Sequence, residues 1–576
     1  LYINLNNYNM MYNKFNIMYS KVILNKNSYK LIFVLFIVFF VFINKKINSS
    51  DNIYYFNSYY GSLLAGQIAK YDNENEIASK YYRFANQKNP KNNNILELSL
   101  MSSVLSGDIK LAIQELEKYE DNLSKKKSQI SQLLHFIKYV KNEDYKKASK
   151  LLNQNQTIIF TTKVQPIINA WLSDNIKKAK SAIEKFEYKS QGLMMSDIYF
   201  LHLALINNFY KNKTEAINIF ENTLNSGIEN RSRHMFFYKN LIDDKLQENK
   251  IIKSFISKNP SHSFNIYINK KNFNDFRINT RKDGISESLF NIAEAFYSQR
   301  MYDLSIAYCY LSLYLNKNNF INYYLLSQNF IMLQKNEKAI NTLKNIPLNS
   351  YLGWNSYLKI ADINLNLKNF SEAESFILKL KKYSSNRVDA HYKLGEILHN
   401  KKDYDNAIKA FSDAISLLKI SSKENWYLFY SRGMSYERSN QWKKAEKDFL
   451  YALELSPQQP LVLNYLGYTW IDYGINLGQA ESFIRKAIKL RPKDGYFIDS
   501  LGWAYYRQGK YDLAVVELEK AVGLIPNDPI INDHLGDALF RAGYYNEAKY
   551  QWNRALLYDP ENELRDNIEF KLKKGL

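Results

Sequence analysis

Asp499, Ser500 and His534 are the residue types of an acyl-transfer triad: an acid that orients, a hydroxyl that attacks and an imidazole that moves the proton. Asp499 and Ser500 lie in GYFIDSLGWAYYR, residues 495–507, and His534 lies in DHLGD, residues 533–537. A third stretch, NYLGY at 464–468, shows what recurs. Leu-Gly keeps its place in the frame, while the position of Ser500 becomes Tyr465 in one copy and His534 in another. These residues are therefore expected beside a packing seam, not in a triad. No G-x-S-x-G elbow surrounds Ser500, and neither a phosphate-binding G-x-x-x-x-G-K-[ST] loop nor H-E-x-x-H occurs. His391 and His399 share a helix face without a third ligand close in sequence. Cys309 is the single cysteine, which excludes an intramolecular disulfide and a cysteine-based zinc site, and it reads as a small buried hydrophobe. No catalytic residue, metal or cofactor is expected.

The elements that would hold these residues follow from a period. Gly433, Gly467, Gly502 and Gly536 are 34, 35 and 34 apart, and Pro457, Pro492, Pro526 and Pro560 are 35, 34 and 34 apart. Between each Gly and the next Pro stand two alanines seven apart: Ala445/Ala452, Ala480/Ala487, Ala514/Ala521 and Ala548/Ala555. The frame also fits Leu394-Gly395, Ala407, Phe411 and Ala414, and near the start Gly66, Ala78, Tyr82, Ala85 and Pro90. Physically this is a pair of helices. Glycine on the first (A) helix lets the second (B) approach. The alanines, two turns apart, face one neighbour. A bulky residue between them (Phe449, Leu518, Trp552) fills the gap, and proline ends helix B.

This pattern resembles the tetratricopeptide repeat family, strongly over 388–562 and in degenerate form around Ala112, Ala148, Ala216, Ala339 and Ala373. The resemblance implies an all-α, right-handed α-solenoid of about thirteen helix-turn-helix repeats. Residues 59–243 form a degenerate N-terminal array, 244–284 an irregular insert, 285–562 a second array and 563–576, ending KLKKGL, a capping helix. In this family partners lie along helix A at frame positions 2, 5, 9, 12 and 13. Counted from the glycine at position 8, the groove residues here are Tyr427, Tyr430 and Arg438; Asn464 and Tyr468; Tyr496, Asp499, Trp503, Tyr506 and Arg507; and Asp533, Asp537, Phe540 and Arg541. Rigid aromatics beside Arg and Asp are the composition of binding hot spots. The run 426–560 is also similar to exported bacterial repeat proteins that act as envelope adaptors, some tethering a processing protease or cell-wall enzymes.

Composition agrees with long helices: 576 residues contain only 19 Gly and 10 Pro. The net charge of +21 favours anionic partners, although the lysines are scattered and the chain is rich in Asn, Ile and Tyr throughout. Residues 31–43, LIFVLFIVFFVFI, follow four lysines and precede Lys45 and Lys46. As a helix this run spans roughly 20 Å, short of the roughly 30 Å hydrocarbon core, so residues 1–50 are expected to be a signal peptide or an uncleaved signal anchor. No cysteine follows the run, so acylation there is not expected. The charges favour export of the chain, to the periplasm or the periplasmic face of a membrane.

The expected function is a non-enzymatic adaptor that holds a protein or peptide client in the groove, tethered through the N-terminal segment where it stays uncleaved. An enzyme with a repeat arm lacks room, since only about 40 residues at 245–284 are unassigned. Binding of an anionic polymer rests on charge alone, and nucleic acid is not an expected partner of an exported chain.

Overall fold

The computed structural model describes residues 58–119, 128–154, 164–186, 193–225, 232–242, 249–258, 277–418, 421–558 and 560–576. The apolar run 31–43, and with it the expected signal or anchor, lies outside them. Among the described residues there are only helices and turns, and no helix is long and apolar enough to cross a membrane. Two compact units meet at Gly353 and Trp354.

The first unit runs as α1 (Tyr59–Tyr71), α2 (Asn75–Lys88), α3 (Asn93–Leu105), α4 (Ile109–Lys118), α5 (Gln129–Lys141), α6 (Tyr145–Gln154), α7 (Gln165–Leu172), α8 (Ile176–Ile183), α9 (Leu193–Phe209), α10 (Lys213–Asn225), α11 (Ser232–Leu241), α12 (Lys250–Lys258), α13 (Arg281–Ser298), α14 (Tyr302–Leu315), α15 (Ile321–Met332) and α16 (Asn336–Leu343). The second, opening at the unit boundary, holds α17 (Gly353–Asn366), α18 (Phe370–Tyr383), α19 (Val388–Asn400), α20 (Tyr404–Ser416), α21 (Trp426–Arg438), α22 (Trp442–Leu455), α23 (Pro460–Asp472), α24 (Leu477–Leu490), α25 (Gly495–Arg507), α26 (Tyr511–Leu524), α27 (Pro529–Arg541), α28 (Tyr545–Leu557) and α29 (Asn562–Lys574). Odd-numbered helices are A helices and even-numbered ones B helices. Each unit is a stack of such hairpins.

The seam is a ring over a glycine. A Cβ added at Gly395 would fall 2.5 Å from the Phe411 ring, at Gly433 2.7 Å from Phe449, and at Gly502 2.5 Å from Leu518. Gly536 lies under Trp552 and Gly66 under Tyr82 in the same way. The paired alanines are fully buried beside these rings. Cys309 occupies the ring position of its own repeat, is fully buried, and burial pushes its thiol pKa far up.

The A-to-B turn has its own rule. Most of the described A-to-B turns hold a residue in the left-handed conformation, from Asn73 and Gly107 through Lys402 and Asn440 to Gly509 and Gly543. The residue after it donates its N–H five residues back, as in Glu74 to the Ala69 carbonyl (2.7 Å) and Tyr544 to Leu539 (2.9 Å). This Schellman closure satisfies carbonyls that the end of an α-helix leaves open. Where the turn residue is Lys, Gln or Asn, the closure is kept against a conformational cost of roughly 1–2 kcal/mol.

Two features of residues 244–284 were not in the sequence expectation. Lys250–Lys258 is helical. Helix α13 starts at Arg281, fixed by a capping box in which the Thr280 hydroxyl accepts from Asp283 N–H and the Asp283 carboxylate accepts from Thr280 N–H. From there α13 packs on α7 and α9, and α14 packs on α3 and α5, helices that begin between 88 and 209 residues earlier.

The turn rule gives a paired test. Gly509 has φ 74° and open space around its α-carbon, and Gly523 sits inside α26 with equally open space. Gly509→Ala is expected to destabilise the second unit by about 1 kcal/mol. Gly523→Ala is expected to stabilise it by about 0.5 kcal/mol. Urea unfolding followed by circular dichroism reads both signs, and equal effects would refute the turn's role.

Candidate functional site

The second unit gathers the sequence-predicted groove residues on the A helices α21, α23, α25 and α27. Their rings fall into separate groups, the first around Tyr427 and Tyr430. Tyr427 meets Tyr392 edge-on (4.8 Å between centroids), and Tyr430 meets Tyr465 (5.8 Å) and Phe449 (6.0 Å). Burial raises the phenol pKa of Tyr430 to about 12. Tyr468 is likewise raised, first by burial and then by the carboxylates of Asp472 and Asp499. These phenols stay neutral at physiological pH. Asn464 is half-buried between them.

Trp503 is the centre of the site. Its indole stacks with Tyr506 (4.7 Å, 13°) and with His534 (4.2 Å, 18°). Its Nε1 donates to Asp472 Oδ1 at 2.9 Å, and Arg507 holds the same carboxylate from Nη1 (3.3 Å) and the Asp472 carbonyl from Nη2 (3.1 Å). Arg438, Tyr496, Arg507 and Arg541 remain exposed along this face. Tyr496 reaches Asp528 at 3.4 Å, and Arg438 lies 3.5 Å from Glu437. Phe540 is half-buried against Trp552 and Tyr545.

The three acidic members are placed differently. Asp499, Asp533 and Asp537 are each buried, because frame positions 5 and 9 face the A helix of the following repeat. Asp499 accepts from His534 Nδ1 at 3.0 Å. Asp533 and Asp537 both accept from Lys571 of α29 at 2.9 Å, and Asp537 also accepts from Trp552 Nε1. Burial raises the pKa of Asp533, and its neighbour Asp537 raises it further against the pull of Lys571. Burial lowers that of Lys571, but the two aspartates carry it above its ordinary value.

Asp499 and His534 thus do meet, 35 residues apart. Ser500 does not join them: its hydroxyl donates to the Tyr496 carbonyl at 3.0 Å, inside its own helix turn. The pair is an ion pair under a tryptophan. Burial alone would lower the His534 pKa, but the carboxylates of Asp499, Asp533 and Asp537 raise it above 6.5. His391 and His399, the other pair singled out by spacing, bond separately to the Ser385 carbonyl and the Ser435 hydroxyl, both at 2.9 Å.

Asp472, His534 and Lys571 are the site residues that the groove assignment missed. Asp472 stands at frame position 13, the place of Arg438, Arg507 and Arg541, so the frame itself carried the signal. Lys571 falls 34 residues after Asp537, at frame position 9, and Phe570 stands where the period calls for glycine. Helix α29 is an A helix, and its lysine reaches back to two aspartates of the preceding repeat.

Comparison with known proteins agrees with this frame. Residues 502–543 match the description "TPR repeat" and residues 388–417 match "Tetratricopeptide repeat". Tetratricopeptide repeats are thus present at residues 388–417 and 502–543. Over 115 residues it is 36% identical to the TPR repeat-containing protein PA4667 of Pseudomonas aeruginosa, a stretch that is 20% of this chain and 19% of that protein. Among solved structures, the APC/C hetero-tetramer Cut9-Hcn1 is similar at 16% identity and a TM-score of 0.38, covering 90% of this chain and 96% of that one. A tetratricopeptide repeat protein from Parabacteroides merdae is similar at 16% identity and a TM-score of 0.37, covering 44% and 97%.

Two measurements test the site. His534 gains proton affinity on folding, so its contribution to stability is whole below pH 6.5 and is lost as pH rises through the raised value. Thermal unfolding between pH 6 and 9 should show the second unit weakening with rising pH, and His534→Gln should flatten that slope. The window opened by the raised Asp533 begins lower, near 3.8, and the His534→Gln comparison isolates the part that belongs to the imidazole. Lys571→Met leaves two buried carboxylates uncompensated and is expected to cost about 3–5 kcal/mol. Urea unfolding measures it, and a loss under 1 kcal/mol on the scale of exposed pairs would contradict the burial.

Proposed function

We propose that this protein is a non-enzymatic scaffold of the cell envelope that holds a protein or peptide client on the aromatic face of α21, α23, α25 and α27. The observation that carries the reading is the stacked Tyr506–Trp503–His534 group, with Arg507 fixed beside it and left exposed. A rigid aromatic surface loses little conformational entropy when it binds, and an exposed arginine supplies directed hydrogen bonds to a client backbone or carboxylate. Tetratricopeptide repeats support protein binding as the general role. The envelope location rests on the sequence pattern at 31–43 and on the resemblance to exported adaptors, which also suggests a processing protease or cell-wall enzyme as client.

A second reading has one observation in its favour. Residues 58–353 hold 40 Lys and Arg against 27 Asp and Glu, whereas residues 354–576 hold 32 against 29. An anionic polymer or lipid headgroup would therefore meet the first unit, not the aromatic face.

A crosslinked pull-down from membrane and periplasmic fractions decides between them, with wild type beside Trp503→Ala/Arg507→Ala. A defined client held by wild type and weakened at least about tenfold in the variant is the expected result. Recovery of anionic polymer alone, removed by salt, would replace the scaffold reading with surface electrostatics.

A further inference from the structure

In a tandem array each hairpin packs on its neighbours in sequence. Helices α13 and α14 also pack on A helices of the repeats at 59–241, and the chemistry of that contact is unlike the seam between repeats. The seam is glycine, alanine and a ring. The contact at α13 is polar and specific. Arg233 of α11 makes a two-pronged pair with Glu287 and stacks 4.7 Å from the Phe290 ring. Glu287 is 1% exposed. Trp171 of α7 donates to His202 Nδ1 at 3.0 Å, and His202 Nε2 bonds Asn291 Oδ1 at 2.8 Å. Both Trp171 and His202 are fully buried, and Gly284 lies directly on the Trp171 ring.

The same contact continues along the array. Lys282 pairs with Glu143 at 3.2 Å, Arg281 lies 5.0 Å from the Tyr145 ring, and Lys141 of α5 donates to the Tyr314 carbonyl. Gly107 lies against Tyr310 of α14. At the far end, Glu74 takes Lys338 at 3.0 Å together with Lys335. Repeats from α1 to α11 thus each place a charged, hydrogen-bonding or glycine contact on residues 281–338.

We infer that the A-helix face of the N-terminal repeats is a binding groove already occupied by its own chain, with residues 281–315 as the bound ligand. The pairing is one that two separate molecules would make: bidentate charge, a buried hydrogen-bond relay and two glycine approaches that fix register. It holds without the covalent connection through residues 259–276. Where the scaffold reading above is correct, the client is confined to the second unit, because the corresponding face of the first is filled.

The test cuts the connection and does not involve a client, so its failure leaves the scaffold reading standing. A recognition sequence for a specific protease is inserted between residues 265 and 270 of the full chain, and the cleaved protein is run on gel filtration at about micromolar concentration. The fragments are expected to co-elute. Glu287→Gln, which leaves Arg233 buried and half-paired, should weaken their association at least about tenfold, while Lys520→Gln in the second unit should not. Fragments that separate while both stay helical would overturn the inference. Should the insertion prevent folding, hydrogen exchange on the intact chain serves instead. Amides of 285–293 must exchange as slowly as those of α7 and α9, and exchange at the rate of the exposed α10 surface would overturn it equally.

Discussion

The close approach of a B helix to a glycine on its A helix is the contact on which the rest of this molecule depends. With no Cβ at Gly433 or Gly502, the Phe449 ring or Leu518 side chain sits on bare backbone, and the two helices lock at one depth and one angle. Side chains larger than hydrogen would push the pair apart and rotate every residue beyond it. The alanines of helix B do the same for the following repeat. Because each hairpin is thus set by its neighbours, the outward positions of the A helices fall in line without further instruction, and a row of aromatic residues becomes a surface.

That surface is built from frame positions, but the frame alone does not say which positions face solvent. Position 13 does, as Arg438, Arg507 and Arg541 show. Positions 5 and 9 point along the array and meet the next A helix, which is why Asp499 closes on His534 and why Asp533 and Asp537 close on Lys571. The acidic residues therefore organise the face from beneath, orienting His534 and through it the plane of Trp503.

Much of this was legible in the sequence. The spacing of Gly467, Gly502 and Gly536 fixed the hairpins and their seam, and the expectation that Ser500 lies beside that seam agrees with its hydroxyl bonding inside its own helix turn. What was not legible was whatever lacked a period. The pair α11 and α12 has no glycine or alanine signature, so half of it fell within a supposed insert. The meeting of Gly284, Glu287 and Asn291 with Trp171, Arg233 and His202 joins residues 54 to 113 positions apart and leaves no trace in any local pattern. The left-handed turn residue escaped notice for a different reason: at Lys402 or Gln334 the tertiary closure overrides what the side chain would choose.

Those turns carry a consequence for how the molecule behaves under load. A repeat array pulled from its ends stretches first at its weakest hinges, and most of the described hinges here hold a residue left-handed. In the last two hairpins that residue is glycine, which sits there without strain, while at Arg300, Gln334, Lys368 and Lys402 it is a long side chain that relaxes when the turn opens. Within the second unit the turns are graded in this sense: those at Lys368 and Lys402 release strain when they open, and those at Gly509 and Gly543, beside Trp503, release none.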